Sequence, residues 1–371
     1  MTRTGWQREQ DLVSTGHKMR EVKINMDNRD KTGRRCPVRG VHKQGNTTRQ
    51  SQSKIEIYQL DAFTDVPFGG NPAGVVPHAE GLSDEHMQKI AREMNLSETA
   101  FVTDLRQAKQ APGDPDFLVR FFTPQSEVDL CGHATIATFW LLAELGVISP
   151  GHGAGEAEEE IRVYQKTGAG GLPVDLLFGC EGGPARVMMT QALPQVAFTL
   201  DEPEIKQLER ILRAPQGSIT GFPGPKPQGV STGLLDLIVP VTSMEALFSM
   251  RPDMAALAQY CREREVISVH CFSMDTVDAA ATVHCRDFAP AVGIPEEAAT
   301  GTASGATGAY LVLNQLVDTK QPVTRIICEQ GHVMKRPSVI HVEIGMEGRE
   351  ITSVRVGGSA VTVMKGWMYL P

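Results

Sequence analysis

The sequence has no C-x-x-C pair, no Walker loop, no Rossmann glycine fingerprint and no metal-ligand triad. Nor does it have a run of about 18 apolar residues, the length that could span a bilayer. These absences argue against a zinc site, the usual nucleotide folds and membrane insertion. Aromatic residues are scarce, at 6%, while 41% hydrophobic and 22% charged residues give the balance of a globular chain. The seven cysteines are odd in number and widely spaced, without a close histidine partner, which argues for free thiols in a reducing, cytoplasmic compartment. At 371 residues the chain exceeds an ordinary domain of roughly 100 to 200, so two lobes around a sizeable core are expected.

Charge is unevenly divided. Residues 1–54 hold 13 Lys/Arg against 5 Asp/Glu, leaving 23 against 39 in the remainder. The acidic body speaks against nucleic acid as a partner, and an anionic substrate would need local binding groups. The first 54 residues show no sustained apolar period and read as a disordered basic extension. Glu9, Asp11, Glu21, Asp27 and Asp30 weigh against a transit peptide, and no apolar stretch suggests secretion.

From Ile55 the texture becomes ordered. Ile55 to Phe63 alternates as a half-buried strand, Phe68-Gly69-Gly70-Asn71-Pro72 is a turn, and Asp84 caps a helix with apolar residues at helical spacing. Leu118 to Phe122 is a strand, and a strongly apolar helix follows from His133 to Leu145. Residues 151–160 read as a solvated loop, 214–229 as a Pro/Gly-rich loop and 243–264 as helix. Glu296 to Gly301 leads into a second small or apolar helix, Thr302 to Val317, and alternating strands close the chain. The order strands, glycine loop, buried helix, strands thus occurs twice, which suggests two lobes built alike.

Glu98 stands where a helix hands over to a strand, among Leu96, Ala100 and Phe101. A solvated glutamate at a helix end is the bland account. Turned inward, its carboxyl would be desolvated and raised toward neutrality, fit to take and give a proton. His133 follows Gly132 at a helix start, where free N–H groups attract a carboxylate and disfavour imidazolium, so a neutral histidine is expected. Gly301-Thr302 opens the second helix in the same way, and Gly301, Gly305 and Gly308 on one face imply strands packed very close. Cys131 reads as structural, since a two-thiol mechanism needs a cysteine at the matching place of the other lobe, which is Thr300.

With these motifs in view, the chain resembles the PhzF (phenazine biosynthesis-like) family, related in fold to diaminopimelate epimerase and proline racemase. The resemblance runs from Ile55 to Leu370. It is carried by Asp61-Ala62-Phe63-Thr64 with Gly70-Asn71-Pro72-Ala73, Asn95 to Phe101, Phe121-Phe122-Thr123-Pro124, Cys131-Gly132-His133-Ala134-Thr135, Ala299-Thr300-Gly301, and Glu329-Gln330-Gly331 through Gly357-Gly358. It implies an α+β fold of two similar lobes, each a barrel-like mixed sheet around a central helix. We place these lobes at residues 55–185 and 186–371, with the last strands returning to the first lobe. It also implies a cofactor-free, metal-free isomerase, a homodimer of secondary metabolism, shifting a proton on a small carboxylate-bearing metabolite. Glu98, His133, Glu297 and Thr302 match the family's catalytic positions, and Asn71, Gly132, Thr300 and Gly301 line the substrate. Where the family usually shows Asp-Pro-Ala-Thr-Gly-Ser, this chain has Glu297 to Thr302 reading Glu-Ala-Ala-Thr-Gly-Thr, which argues for a different substrate from the phenazine precursor. A non-catalytic binding or regulatory relative and a thiol-based epimerase are the competing readings.

Overall fold

Two helices lack a polar face, and their composition sets the architecture. In α2 (Gly132–Glu144) ten residues are buried, and in α6 (Gly301–Leu313) eleven, so each must be covered on nearly every side. The other helices are amphipathic or short surface pieces: α1 (Asp84–Met94), α3 (Glu202–Ile211), α4 (Met244–Ser249) and α5 (Met254–Glu263). Ser83, Asp201, Ser243 and Asp253 cap their N-termini through side-chain oxygens. The computed structural model describes residues 54–111, 113–150, 159–180 and 182–370. The extension read at 1–54 lies outside them except for Lys54, as does most of the loop read at 151–160.

The covering is one continuous ribbon of strands. Strand Ala360–Tyr369 pairs with Lys54–Ala62, which continues through Asn71–Val76, Thr99–Asp104, Phe117–Phe122, Glu159–Thr167, Gly170–Phe178 and Pro184–Gln191. Strands of this run pack around α2. Pro184–Gln191 then pairs with Glu350–Gly358, and the ribbon goes on through Ser338–Glu347, Val323–Gln330, Val283–Ala289, Ser268–Ser273, Leu235–Val241, Gln228–Ser231 and Gln195–Thr199, with α6 inside. Parallel and antiparallel pairs alternate irregularly, giving the α+β arrangement of two lobes, each a mixed sheet around a central helix. The lobe boundary expected at 185/186 falls inside Pro184–Gln191, which packs against α2.

Several boundaries differ from the sequence reading. The helix expected over 243–264 is two, because Pro252 lacks the N–H that a continuous helix needs. Helix α6 ends at Leu313 rather than Val317, with Gln315 left-handed at φ 57°. Glu159 and Glu160 begin a strand, not a loop. The close packing read from the α6 glycines is present: a Cβ on Gly308 would lie 2.7 Å from Val342 Cγ1. No helix among the described residues is long and apolar enough to cross a membrane.

Candidate active site

The site forms where the start of α2 meets the lead-in to α6. Helix α1 ends at Asn95 in the left-handed region, and the chain turns into strand Thr99–Asp104 through Ser97 and Glu98. The Glu98 carbonyl accepts from Gly74 N at 3.0 Å, which pins the backbone and sends the side chain inward, only 14% exposed. Its Oε2 lies 3.2 Å from His133 Nε2, the second residue of α2. Ser97 Oγ is also 3.2 Å from Nε2. The other ring nitrogen, Nδ1, lies 3.5 Å from Cys131 Sγ and 3.9 Å from Glu297 Oε1. His133 therefore bridges two carboxyl groups. Glu98 Oε2, though near the ring, is buried without an aligned hydrogen-bond partner.

Glu297 comes from the short strand Ile294–Glu297 and is tightly held. Asn71 Nδ2 donates to its Oε1 at 3.0 Å and to the Ala299 carbonyl at 3.0 Å, while Thr300 Oγ1 donates to Oε2 at 2.8 Å. Gln330 fixes Thr300 in turn: its Oε1 accepts from Thr300 N at 3.2 Å, and its Nε2 donates to Thr300 Oγ1 at 3.1 Å and to the Glu297 carbonyl at 2.8 Å. Arg336 clasps the turn before Asn71, donating to Gly69 O at 2.6 Å, Gly70 O at 2.9 Å and Asp61 Oδ1 at 2.7 Å. Gln330 and Arg336 were given no role in the sequence reading. Gln330 was visible only as part of a motif, and nothing local marks Arg336.

The charge states depart from expectation in a definite way. Burial works to raise Glu98, but contact with His133, aided by Ser97 and Cys131, outweighs it, so this carboxyl sits below its ordinary value. Burial likewise opposes charge on His133. Contacts with Cys131 and Glu98 overcome it and push the imidazole well above its usual pKa, the opposite direction to that expected from the helix dipole. Cys131, buried and beside Glu98, is pushed up to about 11; it is a neutral thiol near pH 7, which leaves the Glu98 carboxylate as the anion nearest the ring. The carboxyl raised toward neutrality is Glu297, at about 7, chiefly by burial, with His133 opposing and Asp287 adding to the shift. Two carboxyls on either side of one histidine are thus shifted in opposite directions.

Glu98, His133, Glu297, Asn71 and Thr300 are brought into one contact network. Gly132 and Gly301 are the first residues of the two central helices, where backbone N–H groups have no partner within the helix. A Cβ on Gly132 would meet nothing within 4 Å, so the space before α2 is open. Thr302, half-buried, enters the hydrogen bonds found among the described residues only through its carbonyl, which accepts from Thr232 Oγ1 at 3.4 Å. The expectation that no cysteine has a close histidine fails at Cys131, two residues before His133. Ligand atoms of Glu98, Cys131 and His133 lie within 4.8 Å of one another, a spacing that a cation could bridge. It would have to displace protons from Cys131 and His133, so binding there would weaken as pH falls. An open groove of about 390 Å³, lined by Arg210, Arg213, Asp253 and Tyr260 among others, includes no residue of this network.

The sequence profile of the PhzC-PhzF family, phenazine biosynthesis-like proteins, matches residues 60–366. An uncharacterized isomerase of Clostridium acetobutylicum is 36% identical over 317 residues, covering 85% of this chain and 99% of that protein. The trans-2,3-dihydro-3-hydroxyanthranilate isomerase of Pseudomonas fluorescens is 30% identical over 311 residues, covering 84% and 98%. Among solved structures, a PhzF-family protein of Bacillus anthracis superposes with a TM-score of 0.71 at 29% identity, covering 86% of this chain and all of that one. A hydroxyproline epimerase of Agrobacterium vitis, with a TM-score of 0.55 at 13% identity over 85% and 93% of the two chains, shares the fold alone. With two lobes of the epimerase type and a match across nearly all of the described residues, the chain belongs to the PhzC-PhzF family and is an isomerase of that family.

Proposed function

We propose that this isomerase shifts a proton on a small carboxylate-bearing metabolite without a cofactor, with Glu98 as the group that removes and returns the proton. The observation that carries the proposal is Glu98 Oε2, buried, without a hydrogen-bond partner, and held as a carboxylate by His133 3.2 Å away. A buried base with a free lone pair is poised to accept a proton from carbon. The His133 imidazolium steadies the carboxylate before transfer and disperses charge after it. Glu297, near its midpoint at neutral pH, supplies an acid on the other side of the ring. The N–H groups at Gly132 and Gly301, which have no partner within their helices, receive the substrate carboxylate, with Asn71 and Thr300 shaping the wall and Thr302 at the same helix end.

A carboxylate substrate is supported by the name of the Pseudomonas fluorescens relative, an isomerase of trans-2,3-dihydro-3-hydroxyanthranilate. The longer acid Glu297 and the bulkier Thr302, against the family's usual Asp and Ser, favour a different acid for this chain. A homodimer, a cytoplasmic setting and a role in secondary metabolism belong to the same proposal; light scattering of the purified chain tests the first.

The decisive experiment is incorporation of solvent deuterium into candidate carboxylic acids, followed by mass spectrometry. Wild type exchanges one carbon-bound hydrogen, and Glu98→Gln, folded by circular dichroism, does not. Full exchange by that variant would end the proposal. A thiol epimerase would instead lose activity on alkylation; with Cys131 buried at about 11, iodoacetamide at pH 7 leaves exchange intact.

A further inference from the structure

Behind the site lies a second set of ionisable side chains. Asp236, Ser268, His270 and Asp287 stand on the neighbouring strands Leu235–Val241, Ser268–Ser273 and Val283–Ala289, all of them buried. Ladder register assembles them: Asp236 is opposite Ser268, and His270 is opposite Asp287. Ser268 Oγ lies 2.9 Å from Asp236 Oδ1 and 2.7 Å from Asp287 Oδ1, and His270 Nδ1 lies 3.0 Å from the same Asp287 oxygen.

A hydroxyl carries one hydrogen, so Ser268 can donate to only one of the two carboxyl oxygens. The second short contact requires a proton on the other carboxyl. Burial, reinforced by the Asp287 charge, raises Asp236 well above the carboxylate range and places the proton there. Asp236 then donates to Ser268, Ser268 donates to Asp287, and His270 Nδ1–H donates to Asp287 as well. Asp287 is left with the single negative charge of the chain. Its Oδ2, Asp236 Oδ2 and His270 Nε2 have no hydrogen-bond partner, so no further hydrogen bond among the described residues satisfies that charge.

Asp287 is directly opposite Glu297 in the next antiparallel pairing. Residues so paired share a face, with Cβ atoms about 5 Å apart. Glu297 thus has the His133 cation in front, from α2, and an anion behind. Glu98 adds a more distant negative charge, protonated Asp236 adds none, and Asn71 and Thr300 are neutral hydrogen-bond donors.

We propose that Asp287 is a positioning residue of the site, the anionic end of a one-proton chain through Ser268 to Asp236, which keeps a proton on Glu297 in the resting enzyme. The inference rests on the reading of Glu297 as the acid opposite Glu98.

Its test is a carbon-13 titration of labelled glutamate and aspartate carboxyls in the full chain, with Glu297→Gln used to assign the signal, alongside the pH profile of solvent-deuterium exchange. In Asp287→Asn the Glu297 midpoint and the alkaline limb of exchange both move down by about 1 to 2 pH units. Asp236→Asn replaces a neutral acid by a neutral amide and moves neither. An unmoved midpoint in Asp287→Asn, or an equal shift in Asp236→Asn, overturns the proposal. A shifted midpoint with no exchange by any variant upholds the chain and counts against the function proposed above. Should Asp287→Asn not fold, wild type decides: one aspartate carboxyl must stay protonated above the Glu297 midpoint, and aspartates that all ionise in the ordinary range refute the idea.

Discussion

Arg336→Ala tests how the site is held together. The guanidinium makes three short bonds, two to the carbonyls of Gly69 and Gly70 and one to Asp61, a residue only 1% exposed. Removal leaves the Asp61 carboxylate with Phe68 N, at 2.7 Å, as its remaining donor. Breaking a buried ion pair by deleting one partner costs about 3–5 kcal/mol; Arg336 is 28% exposed, and water entering its place lowers this to about 2–4 kcal/mol. For a chain of this size that is a fall in Tm of roughly 3–6 °C. Much of the loss is the stranded charge, so Asp61→Asn introduced into Arg336→Ala restores about 1–2 kcal/mol, although alone it destabilises. Urea unfolding of the four proteins of this cycle gives the coupling directly. A loss below about 1 kcal/mol in Arg336→Ala, or no recovery in the double variant, would falsify the argument that Arg336 acts by neutralising Asp61. The turn it clasps carries Asn71, so Arg336→Ala also lowers the exchange rate while Arg336→Lys, which keeps one charged contact, falls between.

Gly357→Ala places a Cβ against the Val187 carbonyl and 2.6 Å from Met188 Sδ, on the pairing that joins the two lobes. Because backbone cannot yield as a side-chain tip can, unfolding experiments should show a loss above about 3 kcal/mol; near-neutral stability would contradict the close approach. Glu297→Gln probes the raised carboxyl. Its folded pKa of about 7 stands above the unfolded 4.5, so its protonated form is favoured by folding below pH 4.5 and that stability is lost as pH rises through 7. Thermal melts therefore find the variant and wild type alike near pH 4 and the variant more stable by about 1–3 kcal/mol at pH 8; the reverse order would sink the assignment.

Local pattern made the two central helices and most strands legible, because apolar residues without a polar face leave few alternatives to a covered helix. What local pattern could not convey was which groups meet. Glu98 in its own window reads equally as a surface residue, and its inward turn depends on His133, 35 positions further along the chain. Asn71 reaches Glu297 across 226 positions, and Arg336 reaches Asp61 across 275. The charge states were misread for the same reason. Burial gives the sign of one contribution to Glu98, but the neighbour that reverses its effect lies outside the local window, and the carboxyl pushed upward is Glu297. The chain of Asp236, Ser268, His270 and Asp287 left no motif at all, since its members come together only through strand register.

The last strand, Ala360–Tyr369, pairs along the whole of the first, Lys54–Ala62. During synthesis the amino-terminal lobe therefore waits for its final wall until Ala360–Tyr369 has left the ribosome. Until then Lys54–Ala62 presents an open edge along one side. The two lobes cannot mature one after the other as independent beads; the first to be made is the last to be sealed. Deletion of Ala360–Tyr369 would leave the α6 lobe largely intact and open the one that holds Glu98.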